Sequence, residues 1–322
     1  MRLFKDASYK FIEKRRTAYV VSAIVIATGI AAMGYNIVSL GSWQNYGVDF
    51  LGGSLVQVRF DQPTSDAELR EALGGATAPP ITQFGGEGTG EFVIRAPLDE
   101  SVSITQVADN VETQIRANLT DRTFEVVRRE LVGAKVGGEL QQKALLAVLF
   151  SFLLTLIYLA FRFELRFGLA AVIATAHDIL ITLGFLAIFR VEIALPTVAA
   201  ILTILGYSLN DTIVVFDRIR ENMRMKGARK RDPVDLVNQS INETLPRTVL
   251  TSGTTLAVLC ALLVLGGAVI RDFTIVLMLG VVIGTYSSIF VASPALIEIQ
   301  KRWGMGQSAS EKKKARPQPA TV

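Results

Sequence analysis

The stretch IALPTVAAILTILGYSLNDTIVVFDRIREN, residues 193–222, decides how the rest of the chain is read. From Ile193 to Phe216 only Asp211 carries a charge, and the run is long enough to cross a hydrocarbon core of roughly 30 Å as a helix. Charges resume at Asp217, six residues later, so Asp211 lies about 8–9 Å inside the span at 1.5 Å per residue. That is too deep for a plain interfacial charge. A carboxylate at mid-membrane costs roughly 2.5–3.5 kcal/mol on insertion scales. Such residues face a bundle interior, pair with another group, or line an ion path.

Working outward, the chain has 322 residues, of which half are hydrophobic and only 19% charged. This composition is unusual for a soluble domain and suits a membrane protein. Six stretches are long enough to span: 17–40, 143–161, 167–189, 193–216, 247–267 and 273–298. The first is longer than a signal-peptide core and lacks a small-x-small cleavage site after it, so it reads as a retained anchor. Lys and Arg number six in residues 1–16, seven in 217–246 and six after Gln300, but one each in 190–192 and 268–272. The segment 41–142 holds fifteen Asp/Glu against eight Lys/Arg. The positive-inside rule then places both termini and the 217–246 loop in the cytoplasm, with 41–142 as an external, periplasmic domain. The pI near 9.2 follows from this topology, so no nucleic-acid partner is implied. One cysteine, Cys260, and one histidine, His177, leave no internal disulfide, no cysteine metal site and no HExxH zinc motif.

The segment 41–142 reads as six elements. GSLVQVRF alternates as a strand, and SDAELREALGG is a helix with a capping box from Ser65 to Glu68 and a Gly-Gly stop. ITQFG and EFVIRA flank a Gly-rich turn as a hairpin. SVSITQVADNVETQIRANL places Ile104, Val107, Ala108, Val111, Ile115 and Leu119 on one helical face, and TFEVVRREL is a last strand. The order β-α-β-β-α-β is that of the ferredoxin-like fold, which by itself names no function. The GGEGTG run at 85–90 lacks the Lys-Ser/Thr and helix of a phosphate loop and reads as a hairpin loop.

Three polar sites interrupt the spans. The first is Asp211 with Asn210, with Tyr207 and Ser208 one turn earlier. The second is Arg247, followed by Thr248 and by Thr251, Ser252, Thr254 and Thr255. Its depth resembles that of Asp211, and a contact between the two would ease both insertion costs. The third is His177 with Asp178, about 15 Å from either end of the third span; histidine titrates near neutral pH, which suits a proton carrier. For each site two readings stand: an ion path, or hydrogen bonds that hold helices together. Gly280, Gly284, Ser287, Ser288 and Ala292 suit close helix packing in the sixth span. In the 217–246 loop a helix is expected from Asp232 and Pro233, with Val234, Val237, Ile241 and Leu245 on the face laid along the inner membrane surface and its lipid. The tail 300–322 is expected to be disordered.

Four blocks in order, YGVDFLGG (46–53), ILGYSLNDTIVVFDRIREN (204–222), INETLPRTVLTSGTTL (241–256) and GTYSSIFVASP (284–294), together resemble the SecD/SecF protein-export family, on its SecF side, within the RND superfamily. The likeness runs from about residue 10 to 300. It implies a polytopic α-helical membrane protein of the bacterial inner membrane, with six transmembrane helices as an RND half-bundle plus one external ferredoxin-like α+β domain. The implied role is non-enzymatic. With SecD, such a protein uses the proton or sodium motive force to promote preprotein translocation through SecYEG and SecA, with YajC and YidC as further partners. The only cofactor implied is the transported H+ or Na+. The family's transmembrane aspartate matches Asp211 and its arginine matches Arg247, while the His177–Asp178 pair fits its third span. Gly47, Asp49, Gly52 and Gly53 match the glycine-rich motif leading into the external domain. The resemblance implies that the main acidic carrier of the complex lies in SecD, outside this chain.

Two other classes compete. A half-size RND exporter of small molecules or lipids would share the bundle but need a ligand site in a domain of only about a hundred residues. A passive scaffold would tolerate loss of charge at Asp211. No paired-aspartate GxGD motif, Ser-His dyad or zinc motif is evident, so an intramembrane protease is set aside.

Overall fold

A computed structural model describes residues 8–84, 90–98, 103–225, 231–267 and 270–302. After a 3-10 turn at Ile12–Lys14, helix α1 (Arg15–Leu40) ends at Gly41, whose φ of 74° gives a left-handed cap. A short strand β1 (Asn45–Tyr46) and one helical turn α2 (Val48–Leu51) lead into β2 (Gly53–Phe60), α3 (Asp66–Ala72), β3 (Ile81–Phe84), β4 (Glu91–Pro97), α4 (Ile104–Asn118) and β5 (Phe124–Val132). The chain then returns to long helices: α5 (Ala134–Arg162), α6 (Leu165–Phe189), α7 (Leu195–Arg224) and α8 (Pro233–Leu265). Strand β6 (Glu192–Ile193) sits between α6 and α7. The last helix is α9 (Arg271–Ser287), a π turn (Ser288–Ala292) and α10 (Ser293–Arg302) in one run. Six helices, one of them this composite, are long and apolar enough to cross a membrane.

The α+β domain has the expected order, and its sheet, β3-β4-β2-β5, is antiparallel throughout. Its core forms on one sheet face because β2 and β4 alternate: Val56, Val58, Phe92 and Ile94 meet Leu69 of α3 and Val111 and Ile115 of α4. The Ser65–Glu68 capping box is present, and a second joins Ser103 to Gln106. The opposite sheet face, with Leu55, Gln57, Arg95 and Arg128, overlooks a cleft of about 590 Å³ between the domain and the near end of the bundle. Most of the run 85–90 lies outside the described residues, as does the tail from 303.

In the bundle α6, α7 and α9 form the centre, and α1, α5 and α8 flank them. Three boundaries differ from the sequence reading. Helix α5 begins at Ala134, so the second span's helix takes in residues assigned to the domain as far as 142. Helix α7 continues to Arg224, through the beginning of the 217–246 segment. The expected surface helix does not lie apart: α8 runs unbroken from Pro233 through Pro246 to Leu265. Its face Val237, Ile241 and Leu245 is buried in the main bundle core, where Val234 also packs. That contact outweighs the roughly 3 kcal/mol and the ladder bond that an interior proline forfeits. Asn238 and Asn242 fix it further by accepting from the backbone N–H groups of Ile12 (3.0 Å) and Tyr9 (2.9 Å).

Candidate ion-path site

Two carboxylates lie inside the bundle. Asp178, halfway along α6, is 1% exposed. Its Oδ1 is 2.8 Å from Nδ1 of its neighbour His177, and its Oδ2 accepts from Ser287 of α9 (2.8 Å) and, at a short distance, from Ser208 of α7. The other ring nitrogen, His177 Nε2, is 3.0 Å from Ser22 Oγ of α1, which is 3.3 Å from Tyr286 Oη; that phenol also donates to the Ala18 carbonyl (3.1 Å). Three helices thus meet at one acid, and a fourth, α1, joins through its histidine neighbour.

The close approach of α7 and α9 makes this possible. A Cβ at Gly280 would sit 2.1 Å from Ile204 Cγ1, and one at Gly284 would sit 2.9 Å from Ser208 Cβ. The glycines therefore do the packing, while Ser287 binds the carboxylate and Ser288 and Ser293 bond within the π turn (Ser288 Oγ to Thr285 O, 3.0 Å; Ser293 Oγ to Ser288 O, 2.8 Å). A second tight crossing, Gly29 of α1 against Gly184 of α6, brings Ser22 to His177.

Asp211 is also buried, at 3% exposure, but is held differently. Its one described hydrogen bond is from Ser252 Oγ of α8 at 3.5 Å, the outer limit for such a contact. Ser252 is also 2.7 Å from Thr285 Oγ1, and Thr285 donates its own proton to the Val281 carbonyl (2.7 Å). Each hydroxyl has one proton. Ser252 and Thr285 thus share two protons among three acceptors, and the one bond that reaches Asp211 is long. The expected partner Arg247 is exposed and near enough for its charge to act on Asp211, yet the described ion pairs do not join them. Asn210 is exposed on the neighbouring face.

The hydroxyls grouped in the sequence separate in space. Ser208 serves Asp178 and Ser252 faces Asp211. Tyr207 donates to Thr255 (3.3 Å), whereas Thr251 and Thr254 bond back to carbonyls of their own helix. Asp217 pairs with Arg162 (2.7 Å) and Arg220 (3.3 Å), as befits a boundary charge. Ser22, Thr285 and Tyr286 are not singled out by the sequence: Ser22 is a lone hydroxyl 155 residues from His177, and Thr285 and Tyr286 lie between Gly284 and Ser287, which read as packing positions.

One correction concerns protease chemistry. Ser22, His177 and Asp178 do form a Ser-His-Asp chain, contrary to the expectation that no Ser-His dyad exists. It lacks the rest of a hydrolase: Ser22 is buried mid-helix, where backbone N–H groups are spent on the α1 ladder and cannot form an oxyanion hole. Among the described residues no group of three or more His, Cys, Asp or Glu is placed to hold a metal ion.

At the domain end, Gly47, Asp49, Gly52 and Gly53 fold as a tight connector. A Cβ on Gly47 would lie 2.3 Å from Glu192 Oε1, and Gly52 and Gly53 have φ of 78° and 137°. Asp49 Oδ2 accepts from the backbone N–H of Leu195 (2.9 Å), a free donor at the start of α7.

Comparison with known proteins places this geometry. A family model described as "Protein export membrane protein SecD/SecF, C-terminal" matches residues 111–302, and another, "SecD/SecF GG Motif", matches 45–64. The chain is 44% identical over 310 residues to the protein translocase subunit SecF of Gemmatimonas aurantiaca, covering 94% of this chain and 90% of that one. It is 37% identical to the SecF subunit of Escherichia coli O157:H7, covering 95% and 93%. Among solved structures it resembles SecDF, a translocon-associated membrane protein from Thermus thermophilus, with TM-score 0.76 and 38% identity over 94% of this chain. SecDF in a super-membrane-facing form gives 0.66 and 37% over 96%. The chain spans only 40% of each of those SecDF chains.

Proposed function

The chain belongs to the SecD/SecF family of protein-export membrane proteins, and from that premise we propose that it is the SecF half of a SecD–SecF unit driven by an ion gradient. In this reading it sits in the bacterial inner membrane with both termini cytoplasmic. With SecD it draws on H+ or Na+ flow to promote preprotein movement through SecYEG after SecA, with YajC and YidC as neighbours.

One observation carries the reading. Asp211 is buried in an apolar bundle with a single long hydrogen bond, beside an exposed Asn210 and an exposed Arg247. Polar groups exposed on membrane-spanning helices need partners, and the 40% coverage of SecDF chains supports SecD as their source. A carboxylate that lacks a firm donor gains most from taking up a proton or cation, and doing so alters the charge that Arg247 feels.

The test is ion-gradient-dependent export into vesicles, with wild type and Asp211→Asn at matched protein level. The variant is expected to remain in the membrane and to lose the gradient-dependent part of export. Normal export would sink the reading. Arg247→Met is expected to behave alike.

A further inference from the structure

The α+β domain is fastened to the bundle at a particular place. The corner Arg190–Leu195 joins α6, which carries His177 and Asp178, directly to α7, which carries Ser208 and Asp211. Segments of the domain end converge on it. Strand β1 pairs in parallel with β6, Asn45 opposite Glu192 and Tyr46 opposite Ile193, and Gly47 N–H donates to the Ile193 carbonyl (2.9 Å). Asn45 Nδ2 donates to the Arg190 carbonyl (2.9 Å), and Asp49 takes the Leu195 N–H. From the sheet itself, Arg95 of β4 forms an ion pair with Glu192 at 2.5 Å. It is the only one among the described ion pairs that links the sheet to the bundle. The domain also touches α5, where Gly137 packs on the Phe50 carbonyl, but α5 contributes no group to either carboxylate site.

We propose that this corner is the joint through which the buried carboxylates move the α+β domain, and that Arg95 and Glu192 are positioning residues forming its clasp. The proposal rests on the ion-driven reading above. Helices are stiff, and packed cores switch between arrangements rather than deform continuously. A charge change at Asp178 or Asp211 that shifts α7 against α6 must therefore be absorbed where the two connect. That connection is short and rigid: Arg190 is held in a left-handed conformation (φ 52°), and Thr197 Oγ1 ties Glu192 O to the first turn of α7 (2.8 Å). Gly47 leaves no room for slack beside the Glu192 carboxylate. Displacement of the corner thus passes to β1 and, through the clasp, to the sheet.

The test uses the full chain in membranes holding its export partners. Spin labels are placed on Gln114→Cys in α4 and Lys301→Cys in α10, in a Cys260→Ala background, so that the domain-to-bundle distance is read with and without an ion gradient alongside export. Wild type is expected to change distance on energisation. Arg95→Glu and Glu192→Arg singly are expected to lose that change and gradient-driven export, and the double charge swap to regain both. Singles that keep the distance change, or losses that the swap does not rescue, overturn the joint. Asp211→Asn runs in parallel: if it exports normally, the ion-driven reading itself fails, whatever the clasp variants do.

Discussion

Asp178 and Asp211 are both aspartates buried in one bundle, yet the protein treats them in opposite ways. Asp178 is saturated by His177, Ser208 and Ser287 and joins three helices. Asp211 has one contact at 3.5 Å and faces the side where Asn210 and Arg247 are exposed. Helix α9 serves both, giving Thr285 to the second cluster and Tyr286 and Ser287 to the first. The difference teaches that burial alone does not mark function in a membrane. A carboxylate whose oxygens are all occupied holds its helices together in the state described, whereas one left short of donors has room for a further partner.

The largest effect that would test this contrast is on stability. Asp178→Ala strips the partner from a buried imidazole and two buried hydroxyls, and breaking such a network costs roughly 3–5 kcal/mol. Thermal unfolding in detergent is expected to show a large fall in Tm; a small one would mean that Asp178 is not the fastening point. Next, Gly280→Ala forces a Cβ into Ile204, an overpacking worth about 1–3 kcal/mol. It should loosen the α7–α9 contact and with it the Ser208 and Ser287 bonds, seen as faster hydrogen exchange in both helices. Asp211→Asn is expected to change stability by less than about 1 kcal/mol, since it loses no firm hydrogen bond, while removing gradient-driven export. An equal Tm loss at both aspartates would erase the comparison.

The smallest effect comes from a carboxylate outside the spans. Burial, with Asp272 and Asp49 nearby, raises the Glu192 pKa above the ordinary glutamate value, against the opposing pull of Arg95. A raised folded-state pKa means a contribution to stability that is complete below the unfolded pKa and lost as pH rises through the folded one. The Tm of wild type relative to Glu192→Gln should therefore decline as pH rises from the acid side through that window. A pH-independent difference would show that Glu192 titrates as an exposed side chain.

Much of this was readable beforehand. Long apolar runs announced the spans, and period-two alternation with Ser65 capping announced the domain, because these signals are local. The expected boundary between the loop helix and the fifth span at 246/247 is absent because the packing that carries α8 past Pro246, Val237, Ile241 and Leu245 against the bundle, is tertiary. His177 and Asp178 stood out as charges in an apolar span, but Ser22 did not. A single serine in a helix has no periodic signature, and only the glycine crossing at 29 and 184 brings it into reach. The expected Asp211–Arg247 contact rested on equal depth along two helices, which says nothing about the rotation of either.

The π turn at Ser288–Ala292 has an electrical consequence. One inserted residue sets the two parts of the helix about 100° out of phase. The hydroxyls of Thr285 and Ser287 face inward before it, and Leu296 and Ile297 also face inward after it. With Phe163, Phe167 and Phe216 these side chains form an apolar plug between the polar layer and the end of the bundle remote from the domain. The change of phase puts a low-dielectric layer directly beneath Asp178 and Asp211, the side on which their fields are screened least.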